Sequence, residues 1–149
     1  MKRIHITSVL SLAIALFAIL TLPSCEDFRD HNGDLGGMWQ LTEWRSGNEV
    51  IKTNKDSIYY SVHRELIQYS KTTSTVNGYD HRYFSRFRHT PDSLIVCGDI
   101  AYAMDKRNCS LADLKDFGVP ADGRFHINRL DSDHLVLSYP NNTLVFRKY

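Results

Sequence analysis

The side chains able to move protons, hold metals or attack carbonyls are present in this chain, but they are dispersed. Beyond the first 25 residues the histidines are His31, His63, His81, His89, His126 and His134. His81 and His89 share one face of an alternating stretch. Eight residues of strand at about 3.3 Å each span about 26 Å, so the two cannot share one metal ion by themselves. Asp80 beside His81 is no acid–base dyad on a strand, because neighbouring side chains point to opposite sides. The chain contains no Gly-x-Ser-x-Gly elbow, His-Glu-x-x-His pair, phosphate-cradling glycine loop or paired-cysteine metal motif. Catalysis needs an activated nucleophile, an acid–base pair or a metal held within hydrogen-bond reach. The expectation is therefore a protein that is not an enzyme, with no metal and no cofactor.

Cysteine chemistry is the informative kind. Met1-Lys2-Arg3 leads into an apolar run, Leu10 to Leu20, that ends in Leu22-Pro23-Ser24-Cys25. A bilayer-spanning helix needs about 20 apolar residues, whereas an export signal uses about 7–15. The run has the shorter length. The segment resembles a bacterial lipoprotein signal, with Leu22, Pro23 and Ser24 standing where the lipobox has its apolar, variable and small residues. That resemblance implies a signal peptide over 1–24 and an acylated Cys25 that attaches the chain to a membrane of the bacterial cell envelope. The outer membrane is the expected one, with the protein facing either the periplasm or the cell surface. Stable anchoring takes more than one acyl chain, at about 0.8 kcal/mol per buried methylene.

Residues 25–36 are acid-rich and nearly devoid of apolar side chains, which predicts a flexible tether. Glu26, Asp27 and Asp30 are similar to the acidic surface-export signal of Bacteroidetes lipoproteins. Cys97 and Cys109 remain for the folded part. Outside the cytoplasm such a pair is a candidate disulfide, and two buried thiols are the alternative.

Charge narrows the partners. Losing Lys2 and Arg3 with the leader takes the 18 basic side chains to 16, against 17 acidic ones. A near-neutral protein without clustered positive charge is not built for nucleic acid. The one local concentration is Arg82, Arg86 and Arg88. Alternation makes it the wet outer face of a strand, and the sharper reading is a patch for an anionic glycan, a lipid headgroup or an acidic partner.

The elements that must position these groups are strands. From Gly37 onward, short runs rich in Tyr, Phe, Val, Ile and Thr alternate with turn residues. The expected strands are Met38–Arg45, Ser57–Tyr60, His63–Val76, Tyr79–His89, Ser93–Asp99, Arg124–Leu130, His134–Tyr139 and Thr143–Tyr149. Asn77-Gly78 is the strongest hairpin signal among the turns. One helix interrupts them: Ser110 and Asp113 form a capping-box pattern, Leu111, Leu114 and Phe117 make one apolar face, and Gly118 and Pro120 stop it. In Tyr79–His89 the odd positions, including Tyr83 and Phe87, face inward, while Arg82, Arg86 and Arg88 face water. Phe125, Ile127, Leu135, Leu137 and Tyr139 continue the inner surface. The fold class is all-β, a small antiparallel up-and-down barrel of about eight strands with one short helix.

The ends of this domain carry a family resemblance. Gly37-Met38-Trp39 resembles the Gly-x-Trp element of lipocalins, and Arg147 in the last strand resembles the arginine that covers that tryptophan. The pattern is similar to the small lipocalin-like envelope lipoproteins of Bacteroidetes and spans the domain 37–149. It implies a barrel closed by Gly37, Trp39 and Arg147 that binds a small apolar or amphipathic ligand. Tyr83, Phe87, Phe125, Ile127 and Leu137 would line the site. An envelope assembly lipoprotein with a solid barrel core is the alternative, with a protein partner in place of a ligand.

Overall fold

A computed structural model describes residues 32–72, 81–103 and 108–149. The signal peptide, Cys25, tether residues 26–31, residues 73–76 of the expected long strand and the Asn77-Gly78 turn lie outside these residues. The described chain forms β1 (Gly37–Ser46), β2 (Glu49–Thr53), β3 (Ile58–His63), β4 (Leu66–Lys71), β5 (His81–His89), β6 (Ser93–Tyr102), β7 (Asn108–Cys109), β8 (Arg124–Leu130), β9 (His134–Tyr139) and β10 (Asn142–Lys148).

Eight of these strands run in the order β1-β3-β4-β5-β6-β8-β9-β10, all neighbours antiparallel, and β10 returns to pair with β1. The sheet is a closed barrel, which removes its edges. The extra strands are β2, laid along Glu43–Ser46 of β1, and β7, laid against Ile100 and Ala101 of β6. Alternation supplies the core: Trp39 and Leu41, Ile58, Tyr60 and Val62, Ile67 and Tyr69, Leu135 and Leu137, and Leu144 and Phe146 all point inward and are buried.

Three differences from the sequence expectation fall in the first half of the barrel. His63–Val76 is not one strand: β3 ends at His63, and Arg64-Glu65 turns the chain into β4, with Arg64 at φ +51°. The second difference is β2, which the sequence reading passed over. The third concerns the tether. Asn32 to Gly36 belong to the barrel, with Gly33–Leu35 forming a 3-10 turn whose Leu35 is fully buried. The Trp39 indole N–H donates to the Leu35 carbonyl at 2.8 Å, and the Asn32 amide donates to the Arg64 carbonyl at 2.8 Å. A segment too polar to fold alone is ordered by surface that the barrel floor already presents.

The expected helix is present as a 3-10 helix, Leu111–Phe117. The Ser110 N–H donates to the Asp113 carboxylate at 2.8 Å, and Gly118 ends the helix at φ +87°. Leu114 and Phe117 are buried, so the helix sinks into the end of the barrel opposite Trp39.

Candidate functional site

The closed end is fastened differently from the expectation. The β1–β10 register sets Lys148 opposite Trp39 and Arg147 opposite Gln40. Alternation therefore sends Arg147 to the outer face, where its guanidinium donates to Gln40 Oε1 at 2.9 and 3.1 Å. Lys148 is the cation on the indole, with Nζ 4.3 Å from the ring centroid, and it also donates to the Asp34 and Gly36 carbonyls. Gly37 makes room for it: φ is +113°, and a Cβ there would lie 2.9 Å from Lys148 Cε. Gly37 and Trp39 thus serve the closure, and Arg147 does not cover the indole.

The sequence-derived lining residues separate into core and mouth. Phe87, Phe125, Ile127 and Leu137 are buried in the core, Phe125 edge-on to Tyr139 at 5.8 Å. Tyr83 alone of the five reaches the mouth, half-buried. There it packs on Tyr102 at 5.0 Å and edge-on to Phe117 of the helix at 5.6 Å. His81 stands above them, its Nδ1 3.2 Å from the Tyr102 hydroxyl. The sequence reading passed over Tyr102, and it placed Phe117 on the apolar face of the helix without bringing it to the mouth. Ending the strand at Asp99 hid Tyr102, although Ile100 and Tyr102 continue the inward alternation of β6. The arrangement offers aromatic faces beneath a rim of phenol and imidazole, suited to an amphipathic molecule.

Below the mouth the barrel is packed with rings. Tyr60 meets Tyr69 at 4.8 Å and Phe146 at 4.7 Å, and Tyr69 meets Phe117 at 6.1 Å. Burial pushes the Tyr60 and Tyr69 phenols well above their ordinary range, so both stay protonated and neutral. The Tyr60 hydroxyl donates to the Phe117 carbonyl at 2.8 Å, and the Ser85 hydroxyl donates to the Tyr69 oxygen at 3.4 Å. These bonds tie the helix and β5 to the core.

A second concavity, about 410 Å³, lies outside the barrel where β6, β8 and β9 meet, lined by Asp92, Ser93, Arg124, His126, Ser138 and Pro140. Ser93, His126 and Ser138 form a cross-strand row. They do not make a catalytic relay. The Asp92 carboxylate is held by the Thr90 hydroxyl at 2.5 Å, which is the main reason its carboxyl sits below the usual range, and Ser93 Oγ contacts the same hydroxyl at 2.6 Å. Among the described residues no three of His, Cys, Asp and Glu gather to hold a metal ion.

Cys97 and Cys109 are separate, half-buried thiols. Cys109 pairs with Ile100, three residues beyond Cys97 along β6, a rise of about 10 Å. Bridged cysteines need Cα atoms within about 7 Å, so the candidate disulfide does not form in this register.

A closed eight-stranded meander with a tryptophan on its floor defines a lipocalin-like barrel. The family model described as a lipocalin-like domain matches residues 18–149, and the chain belongs to that family. Among solved structures, a lipocalin-like protein from Bacteroides uniformis is similar at 22% identity and a TM-score of 0.60, over 78% of this chain and 100% of that one. A protein from Bacteroides eggerthii is similar at 22% identity and a TM-score of 0.57, over 76% of this chain and 98% of that one. Curated proteins contain no match to this chain.

Proposed function

We propose that this protein is a lipid-anchored barrel of the bacterial cell envelope that binds a small amphipathic ligand at its mouth without catalysing a reaction. The observation that carries the reading is the half-buried cluster of Tyr83 and Tyr102 over Phe117, with His81 at the rim. The apolar part of a ligand would stack on the rings, and its polar group would meet the Tyr102 hydroxyl and the imidazole. Because Tyr60, Tyr69 and Phe146 fill the space below, the site is shallow and its ligand small. The lipobox-like run before Cys25 and the lipocalin-like fold support the envelope address and the binding role respectively.

Titration of the mature chain with an environment-sensitive naphthalene sulfonate dye tests the site. Bound dye should brighten, and a Tyr83→Ala, Tyr102→Ala double variant should lose at least about tenfold in affinity, the contribution of roughly 1.4 kcal/mol or more from two ring contacts. Unchanged dye binding in a folded double variant overturns the mouth as the site. Fatty-acid labelling of cells tests the anchor, with Cys25→Ala expected to abolish incorporation.

The filled interior supports a second reading, an assembly lipoprotein whose solid barrel meets an envelope protein. Capture from detergent-solubilised envelopes separates the two. A stoichiometric protein partner favours assembly, and recovery alone with a bound small-molecule mass favours the carrier.

A further inference from the structure

The concavity outside the barrel has chemistry that the aromatic mouth lacks, and binding at the mouth makes no use of it. It lies on β6, β8 and β9, which are neighbours in the sheet, so its side chains share one surface. Leu94, Phe125 and Leu137 of these strands point into the core. Their neighbours Ser93, His126 and Ser138 therefore stand in one cross-strand row on the outside, each strand about 4.8 Å from the next. Arg124 lies two residues before His126 on the same face of β8, opposite Ile95 of β6. Asp92 stands just before β6, its Oδ1 held by the Thr90 hydroxyl at 2.5 Å. Asp122 stands just before β8, its Oδ1 accepting the Arg124 N–H at 3.1 Å.

Acceptors and donors thus surround one hollow. Each carboxylate is positioned by a single bond named above and keeps acceptor sites to spare. The Arg124 guanidinium, the His126 imidazole and the Ser138 hydroxyl make no hydrogen bond to any described residue. This mixture selects a ligand by charge. An isolated anion drawn to Arg124 meets Asp92 and Asp122, and an isolated cation drawn to the carboxylates meets Arg124. A ring of hydroxyl groups satisfies both signs, because each hydroxyl donates to a carboxylate and accepts from a guanidinium or an imidazole. Ile95 and Pro140 add apolar surface for the C–H groups between those hydroxyls. The volume of about 410 Å³ is near the lower end of ligand sites, which run from about 300 to 1,000 Å³, so the ligand is small. We propose that the outer concavity of β6, β8 and β9 binds a neutral mono- or disaccharide, with Arg124 and His126 donating to its hydroxyls and Asp92 and Asp122 accepting from them. The site is independent of the mouth, since its side chains face away from the barrel interior.

Nitrogen–proton correlation spectra of the mature chain test this, with glucose, galactose, mannose, N-acetylglucosamine, lactose and cellobiose as probes. At least one should shift the backbone amides of residues 93–95, 124–126 and 138–139 saturably by about 20 mM, well above a Kd of about 1 mM. An Arg124→Ala, His126→Ala double variant should lose at least about tenfold in affinity for that sugar. Its melting temperature and its binding of naphthalene sulfonate dye at the mouth should match the wild type, because neither side chain is bonded within the fold. Glycine and inorganic phosphate are the charged counter-probes. Saturable shifts of the same amides by either one, with the neutral sugars silent, would make the hollow an ion site and overturn the saccharide. Three other results overturn it as well: no shift from any of the sugars, shifts confined to residues 81–83 and 101–102 at the mouth, or unchanged sugar affinity in the double variant. Dye binding reports on the mouth alone, so the two sites fail by different measurements.

Discussion

Lys148 caps Trp39: the ammonium sits 4.3 Å from the indole centroid and is bonded to the carbonyls of Asp34 and Gly36. One cation therefore joins the last strand, the first strand and the entry turn at the barrel floor. Lys148→Ala should destabilise the fold by about 1–3 kcal/mol, combining a cation–π contact with charge-assisted hydrogen bonds. Arg147→Ala, on the wet outer face, should lose less than about 1 kcal/mol. Urea denaturation followed by Trp fluorescence measures both. The reverse order of effects would return the covering role to Arg147.

Gly118 is where the helix leaves the barrel. It holds φ +87°, and a Cβ would fall 2.6 Å from Leu144 Cδ2 and 3.6 Å from the Trp44 ring. Gly118→Ala adds left-handed strain to a clash in a packed core, for an expected loss of about 2–4 kcal/mol. Gly98→Ala is the control, since nothing lies within 4 Å of its Cβ position. Its change should stay within about 0.5 kcal/mol in the same urea titrations.

How far the sequence announces this structure depends on the element. The β8–β9 hairpin is legible to the residue because the polar turn Asp131-Ser132-Asp133 stands between two apolar-rich runs, although a bulge between Ile127 and Arg129 breaks the alternation of β8. The β3–β4 turn is not, because Arg64-Glu65 contains none of the usual turn residues. Its trace is a parity change: Ile58, Tyr60 and Val62 face inward from even positions, then Ile67 and Tyr69 from odd ones. The Trp39 partner is missed by one residue because strand register, which selects Lys148 over Arg147, is set by pairing between chain ends 109 positions apart. The mouth is half-legible. Tyr83 follows from alternation, but Tyr102 and Phe117 join it only through the β6 extension and the docking of the helix.

The thiols give a direct check on β6–β7 register. In a Cys25→Ala chain purified from an oxidising compartment, denatured thiol titration should find two reactive groups per molecule, from Cys97 and Cys109. Non-reducing and reducing peptide maps should coincide. A Cys97–Cys109 peptide pair would mean that β7 slides from Ile100 toward Cys97, giving up its present pairing.

Asp131 makes the acid limb of stability predictable in sign. Its carboxylate accepts the Asp133 N–H at 2.9 Å and the His134 N–H at 2.8 Å, and Arg129 Nε donates at 2.7 Å. The Asp133 N–H is the largest influence, and with Arg129 and His134 it holds the carboxyl far below the ordinary aspartate range. A carboxyl depressed in the folded state binds its proton more readily when unfolded. The stabilisation is therefore complete above the unfolded value of about 3.9 and is lost as pH falls below it. Asp131→Asn should lower the melting temperature at pH 7, and the gap from wild type should shrink progressively below about pH 4. Thermal melts at pH 7, 4 and 3 read this directly. A gap that stays constant across that range would show that the turn is held by geometry the amide preserves, and that the charge on Asp131 contributes nothing to the β8–β9 hairpin.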